Sequence, residues 1–307
     1  MNKKNNEGIR LSSLVEMEKP ESVLSEVKII ISSIIPEFDF RPLDRIFYDI
    51  VKLFSGEYPG YRKCNTEYHD LKHTTDTLLA ITRLIHGYFI NNEPLCKKDV
   101  FLGLVSALMH DTGYIQTLDE KIGTGAKYTL EHVIRSVLFM EKYFVQNNYL
   151  IEDFKFCQNC INVTDTDEKI NDINFSSCEE ELVGKMLGTA DLLGQMADRI
   201  YLEKLIFLYY EFKEGHVLGY ESELDLLKKT IEYYTSTRGK FERKLGNMNK
   251  YMIYHFKERW NIDKDLYMES IEKNIEYLQY ILENHERDYR DYLRRGNIVK
   301  NYKIQDL

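Results

Sequence analysis

The chain has 307 residues, a formal net charge of −9 and 43% hydrophobic residues, a balance typical of a globular protein with a sizeable core. With only 16 Gly and 5 Pro, the composition excludes collagen-like and Pro-rich chains and disfavours a β-sandwich or propeller, which needs many turns. The excess of acidic residues disfavours nucleic acid as a partner.

Cysteine content and hydropathy predict a cytoplasmic protein that does not enter a membrane. Five cysteines are an odd number in a long chain, whereas secreted disulfide scaffolds are short and rich in cysteine. No apolar segment follows the lysines near the N-terminus, so we expect no signal peptide. The longest strongly apolar stretch, 101–109, is about half as long as a membrane span requires.

Helical spacing of apolar residues, bounded by helix start and stop signals, predicts an all-α fold. The first helix begins at Pro20 and ends before Pro36, and the segment 99–110 is apolar on nearly every side, as in a central helix. Gly113 is placed to end that helix in a left-handed conformation. The predicted helices are 20–35, 41–55, 67–89, 99–110, 129–146, 150–164, 179–213, 222–245, 248–259 and 264–295.

No repeat, linker or alternating strand pattern interrupts this series of helices. We therefore expect one compact multi-helix domain over residues 41–300. Residues 1–40 would form an N-terminal extension, a loose arm plus one helix, and residues 301–307 a tail. The helix at 264–295 has an apolar stripe that could pair with a second copy, so a homodimer is a candidate state, although burial on its own domain is the more ordinary use.

Two histidines four residues apart form the first candidate site. On a helix, the imidazoles of His69 and His73 would leave the same face one turn apart, as two metal ligands do. Such a pair is more often two ordinary polar side chains, so the spacing alone does not establish a site.

An acid and a histidine in the most apolar helix form the second candidate. A buried His110-Asp111 pair is costly unless something compensates its charge, and a divalent cation does so well. Asp191 is a single acid in another apolar, small-residue segment and could complete the site. Because His73 precedes this pair in the chain, the set His73, His110, Asp111 and Asp191 is a stronger signal than any of its parts.

This order of residues resembles the HD superfamily of metal-dependent phosphohydrolases, and most closely its cyclic-nucleotide phosphodiesterase branch. That branch carries Tyr-His-Asn-x-x-His, matched by residues 68–73 with Asp70 in place of Asn. Further similarity runs through segments 130–132, 163–165, 190–192 and 198–203, and the resemblance as a whole covers about 66–212. It implies an all-α catalytic domain that binds two divalent metal ions, with Mn, Mg, Zn or Fe as candidates.

The resemblance also implies a role for individual residues. His69 would be the proton donor and Glu203 the carboxylate that orients it. His132 and Asp165 would be second-metal or water-binding residues, although Asp165 could equally cap a loop. The first metal would be held by His73, His110, Asp111 and Asp191, and Asp111 would bridge to the second metal.

The implied activity is hydrolysis of a phosphodiester, such as a 3′,5′-cyclic nucleotide or a related nucleotide, by a metal-bridging hydroxide. Two alternatives stay open: a nucleotide phosphomonoesterase or triphosphohydrolase of the same superfamily, and a non-catalytic nucleotide-binding sensor. The implied pair of His69 with Glu203 favours the diesterase, because an alkoxide leaving group needs more acid assistance than pyrophosphate.

The sequence departs from the family where the substrate base is read. Asp-Leu-Ser-Asn-Pro becomes 191–195 (DLLGQ), and the purine-reading Gln has no match in 215–270. Substrate-binding residues are therefore unassigned. We interpret the tyrosine pairs at 209–210 and 233–234 as half-buried helix faces rather than a platform for a base.

Overall fold

The computed structural model describes residues 9–91, 95–165 and 170–301. Within these ranges the chain forms helices and turns, and the only β-type pairing there is an isolated antiparallel bridge between Tyr61 and Thr117. The predicted all-α fold is confirmed. The helices are α1 (Pro20–Ile34), α2 (Arg41–Ser55), α3 (Leu71–Asn91), α4 (Lys97–Met109), α5 (His132–Gln146), α6 (Ile151–Asn162), α7 (Cys178–Met196), α8 (Tyr201–Glu214), α9 (Glu223–Arg243), α10 (Tyr251–Trp260), α11 (Leu266–Asn284) and α12 (Ile298–Asn301). Short 3₁₀ turns lie at Leu11–Ser13, Thr112–Tyr114, Gly125–Tyr128, Ile170–Asp172, Met248–Lys250, Tyr289–Asp291 and Arg295–Asn297.

The core is built around α3, which packs against α1, α4, α7 and α10. All side chains from His73 to Gly87 are buried, so this helix is surrounded on every side. Helix α4 is apolar nearly all round, as predicted, and packs against α3, α6 and α7. Helix α3 carries His73, and His110 and Asp111 directly follow the last residue of α4.

Helix α1 lies within the N-terminal extension expected from the sequence, and it shares the core of the region 41–300. Val23, Val27 and Ile30 are fully buried, and the helix packs along α3. Of the predicted loose arm, residues 1–8 lie outside the described residues, as do residues 302–307 of the predicted tail.

Three predicted helix boundaries are wrong. The helix predicted over 67–89 begins at Leu71, after a bend that holds His69. The segment 179–213 is two helices, because Asn274 of α11 donates hydrogen bonds to the carbonyls of Met196 (3.0 Å) and Asp198 (3.1 Å) at the break. The last long helix, predicted to reach 295, ends at Asn284, and short turns follow it.

None of the helices in the described ranges is both long enough and apolar enough to span a membrane.

Two buried histidines away from the candidate site give a prediction about stability and pH. His86 and His255 are 2% and 0% exposed, and their rings meet edge to face at 4.8 Å. Burial, with the positive charge of Arg259 nearby, lowers the pKa of His86 to about 4, and burial and Arg83 hold that of His255 well below its usual range.

Because the unfolded chain binds these protons first, the protein should lose stability as the pH falls from about 6.5 towards 4. For His86, the decrease in the free energy of unfolding should approach about 3 kcal/mol. Urea unfolding of the double variant His86→Leu/His255→Leu should show a shallower dependence on pH over this range than wild type. The exposed His216→Gln should keep the wild-type slope; equal slopes in all three proteins would contradict this prediction.

Candidate metal centre and its cavity

Four side chains converge at the buried end of α4. His73 comes from α3, His110 and Asp111 from the end of α4, and Asp191 from α7. The Nε2 atoms of His73 and His110 are 3.4 Å apart, and they lie 3.3 and 3.4 Å from Oδ2 of Asp111. Oδ1 of Asp191 is 3.1 Å from Nε2 of His73 and 3.8 Å from that of His110.

These spacings suit one cation. With metal–ligand bonds of about 2.0–2.1 Å, two ligand atoms on the same ion lie roughly 3–3.5 Å apart. The donors of His73, His110 and Asp111 all fall within 4.8 Å of one another. The structure thus brings together the four residues that the sequence predicted as ligands of the first metal.

The end of α4 explains how two adjacent residues reach one site. Helix α4 ends at Met109, and Asp111 has left the helical conformation, with φ −109° and ψ 10°. The hydroxyl of Ser136 on α5 donates to the carbonyl of His110 at 2.5 Å and accepts from the backbone N–H of Gly113 at 2.8 Å. Ser136 therefore fastens the turn that carries the Asp111 carboxylate.

The role expected for Gly113 is wrong. Its φ is not positive, so it does not end the helix in a left-handed conformation. It lies instead in the turn Thr112–Tyr114, where α5 passes so close that an added Cβ would be 1.9 Å from the carbonyl oxygen of His132. Only glycine allows this approach, which places His132 beside Asp111.

Gly113→Ala should therefore separate α5 from the turn. We expect the free energy of unfolding to fall by about 3 kcal/mol, because backbone atoms cannot move aside as a flexible side chain can. Urea unfolding would measure the change. Gly60→Ala is the control, since no atom lies within 4 Å of its added Cβ and its φ of +89° costs about 1–2 kcal/mol of strain. An equal loss in both variants would refute the close-approach explanation.

The cluster is buried, and its central carboxylate is incompletely hydrogen-bonded. Asp111 is 3% exposed, and among the described residues its Oδ2 has no hydrogen-bond partner, although two imidazole Nε2 atoms face it. Nδ1 of His110 donates to the carbonyl of Ala107 at 2.8 Å, so Nε2 is the nitrogen directed at the cluster. An unpartnered carboxylate oxygen with two such nitrogens fits a cation.

The pKa values describe the same arrangement. Burial would lower the pKa of His73, but the carboxylates of Asp111 and Asp191 that face its Nε2 raise it to about 10. Burial opposes the charge of Asp111, yet His110 and His73 hold its pKa well below the usual range. Protons on imidazoles thus balance the carboxylates in the bare protein, and a divalent cation would displace them.

His69 lies beside the cluster, in the bend before α3. Its Nδ1 is 2.6 Å from Oε2 of Glu211 on α8, and Glu211 is buried. Oε1 of Glu211 accepts from the backbone N–H groups of Glu67 (2.9 Å) and Tyr68 (2.7 Å). One carboxylate therefore holds both the imidazole and the chain that carries it.

Glu203, predicted to orient His69, does not contact it. Its Oε1 accepts from the backbone N–H of Arg295 at 2.9 Å, and burial raises the pKa of its carboxyl. Glu211 takes the predicted place two turns farther along the same helix. The motif match at 198–203 pointed to the wrong acid, whereas the single acid in the apolar run of α8, Leu208–Phe212, would have indicated the right one.

Tyr114 was missed as part of the site. Its ring is stacked between those of His69, at 4.2 Å and 10°, and His132, at 4.8 Å and 22°. The side chain is 1% exposed, and its hydroxyl is 3.5 Å from Nε2 of His69. This stack fixes the planes of both imidazoles.

His132 faces the other oxygen of the central carboxylate. Its Nδ1 donates to the carbonyl of Thr129 at 2.7 Å, and its Nε2 is 3.9 Å from Oδ1 of Asp111. Burial lowers the pKa of His132, which favours the neutral ring. Asp165 lies in the cavity wall after α6 and is not among the donors of the cluster.

Side chains of α7 and α8 hold the segment 68–73, which carries His69 and His73. Oδ1 of Asp70 caps α3 by accepting from the backbone N–H of His73 at 2.8 Å, and its Oδ2 pairs with the buried Lys204 at 3.0 Å. The hydroxyl of Tyr68 donates to Gln195 at 2.9 Å. Asp at position 70, where the family has Asn, thus gains a charged partner from α8.

The cluster forms the floor of a cavity of about 790 Å³. One face of α9 lines it with Leu226, Lys229, Thr230, Tyr233, Ser236 and Lys240, all at helical spacing. The interpretation of the 233–234 pair as an ordinary helix face is therefore incomplete, since Tyr233, Tyr201 and Tyr220 face this cavity. The helical spacing of these residues predicts that they share one face of α9, but it does not show that this face borders the cavity.

Residues 116–245 match the model of a family described as Npun_R2479-like, a name that states no activity. The matched segment is less than half of the chain; it includes His132, Asp191 and Glu211 and begins after Asp111. No curated protein matches the chain.

Proposed function

We propose that the protein is a metal-dependent phosphohydrolase that cleaves a phosphodiester. One observation carries the proposal: two imidazole nitrogens and two carboxylates converge, at cation spacing, on the floor of a large cavity. The imidazole of His69 lies beside them, and its Nδ1 contacts the carboxylate of Glu211. Metal ligands next to a positioned proton donor are what phosphoryl transfer to water requires.

His73, His110, Asp111 and Asp191 would hold the first cation. Because the two oxygens of Asp111 face different nitrogens, this carboxylate could also serve a second ion on the side of His132. Divalent cations bound there would neutralise the phosphoryl oxygens and lower the pKa of water. Imidazole with carboxylate donors suits Mn, Zn or Fe and tolerates Mg.

His69 supplies the proton that the leaving oxygen needs. Glu211 accepts a hydrogen bond from Nδ1 of His69, which fixes the tautomer and the orientation of the ring. Tyr114 stacks on the same ring and keeps Nε2 directed at the cavity. When Nε2 gives its proton to the leaving oxygen, the neutral ring remains hydrogen-bonded to Glu211. A proton donor of this kind favours a diester over a triphosphate, since an alkoxide is the poorer leaving group.

The cavity suggests a nucleotide-sized substrate, for which a 3′,5′-cyclic nucleotide is our candidate. Tyr201, Tyr220 and Tyr233 line the cavity and offer aromatic surface on which a planar base could stack. We also propose a cytoplasmic location, supported by five cysteines that are all free thiols. A homodimer stays a prediction.

Hydrolysis of bis(p-nitrophenyl) phosphate, beside p-nitrophenyl phosphate, would test the proposal. We expect Mn²⁺-dependent release of nitrophenol from the diester, at least tenfold faster than from the monoester, and its loss in EDTA. Preference for the monoester would instead support the phosphomonoesterase. Turnover of neither compound by folded, Mn²⁺-loaded protein would overturn the proposal in favour of a nucleotide-binding sensor.

A further inference from the structure

Helix α5 carries an apolar stripe that is open to solvent. Ile134, Leu138 and Val145 on this helix are 59, 57 and 73% exposed, and Leu130, just before it, is 68% exposed. Their spacing along the chain places them on one face of the helix. Each other helix in the described ranges carries at most one exposed large hydrophobic residue. A continuous apolar surface of this kind marks an interaction site.

The apolar stripe of α11 is not available for a second copy. Ile271, Ile275, Leu278 and Ile281 are buried, and the helix packs against α7, α8, α9 and α10. The stripe that the sequence suggested for pairing is therefore used inside the chain. Among the described helices, α5 is the one whose apolar stripe is left uncovered.

Two charged residues of opposite sign flank the stripe on α5. Glu131 lies at the N-cap of the helix and Lys142 near its end. They are about three turns and 20° apart, so both lie on the same side of the stripe. Both residues are exposed, and neither forms a salt bridge with another described residue. The charged groups are therefore available to a partner.

This pattern of charges is complementary to itself. Two antiparallel helices related by a twofold axis form reciprocal pairs of residues about one midpoint. The midpoint of Ile134 and Leu138 lies within about half a residue of the midpoint of Glu131 and Lys142. One axis therefore packs Ile134 against Leu138 of the partner subunit. The same axis brings Glu131 beside Lys142 of the partner subunit.

We propose that α5 is the interface of a homodimer in which the two copies of this helix pack antiparallel. The packing of Ile134 on Leu138 of the partner subunit removes the stripe from water. Two equivalent ion pairs at the rim set the direction and the register of the helices, since such charges contribute more to specificity than to affinity. Leu130 also lines the cavity above the metal centre, so the partner subunit would lie next to that cavity. The proposal does not depend on the hydrolytic activity.

Sedimentation velocity of the full chain between about 1 and 100 µM tests this interface. Wild type should shift from monomer to dimer over this range. Ile134→Asp should raise the Kd of the dimer by at least about 100-fold, because it buries a charge in the apolar centre of the interface. Ile29→Asp is the matched control: Ile29 on α1 is 52% exposed, and this variant should dimerise as wild type does. Both substitutions are at exposed positions, and circular dichroism should show wild-type helix content.

Reversal of the flanking charges tests the register. Glu131→Lys and Lys142→Glu should each raise the Kd about tenfold, since each places like charges opposite one another at both ends of the interface. A mixture of the two variants should associate as tightly as wild type, because every pair at the rim then joins a lysine and a glutamate.

Three results would overturn the proposal. The first is a wild-type chain that sediments as a monomer at 100 µM, which would leave the stripe to a different protein. The second is dimerisation of Ile134→Asp with the wild-type Kd. The third is a mixture of Glu131→Lys and Lys142→Glu that associates no better than either variant alone.

Discussion

Asp111→Asn is expected to lower metal-dependent diester hydrolysis by at least about 1000-fold and to weaken Mn²⁺ binding by more than about tenfold. The substitution keeps the shape of the side chain and removes the charge that faces His73, His110 and His132. Since the two oxygens of this carboxylate face different imidazoles, its loss should weaken binding at both of the proposed ion positions. Calorimetric titration with Mn²⁺, alongside the hydrolysis assay, would measure both effects.

The exposed Asp263→Asn is the control, because it removes one acidic charge far from the cluster and should leave both quantities unchanged. Circular dichroism should show wild-type helix content in both variants. If Asp111→Asn hydrolysed the diester within about tenfold of wild type, the cluster would not be the catalytic metal centre.

The second large effect concerns the proton donor and depends on the leaving group. His69→Asn should slow cleavage of a diester with an alkoxide leaving group, such as 3′,5′-cyclic AMP, by about 100-fold to 10000-fold. It should slow release of p-nitrophenol from bis(p-nitrophenyl) phosphate by less than about tenfold, since nitrophenolate leaves without a proton. The ratio of the two losses in kcat/KM is the measurement.

Two acids of α8 provide a matched test of the same idea. Glu211→Gln removes the carboxylate from Nδ1 of His69 and should reproduce the leaving-group dependence of His69→Asn more weakly. Glu203→Gln removes an equally buried acid that contacts Arg295 instead, and it should leave the ratio unchanged. Equal losses for both leaving groups in His69→Asn, or a larger effect of Glu203→Gln, would contradict the assigned role of His69.

The sequence was enough to predict the all-α fold and which His and Asp residues meet in the cluster, because both leave local signals. Apolar spacing marks a helix, and a single acid or histidine in an apolar helix, as at 110–111 and 191, marks a buried polar group that needs a partner. These residues meet because α3, α4 and α7 pack on one another in the core.

Contacts between distant segments were not predictable in this way. Asn274, which lies far along the chain, donates to backbone carbonyls at the break between α7 and α8, and Glu211, on a separate helix, is the acid that contacts His69. Gly113 looked like a helix end because its neighbour across the turn, α5, cannot be read from the local sequence. The cavity wall on α9 was missed for the same reason.

The metal centre is the central claim, and anomalous diffraction from a crystal soaked in Mn²⁺ tests it most directly. We predict a strong peak at about 2.2 Å from Nε2 of His73 and of His110, with carboxylate oxygens of Asp111 and Asp191 completing the coordination. A weaker second peak should lie between Asp111 and His132. Absence of density between the two histidines, with Mn²⁺ bound elsewhere or not at all, would contradict the account.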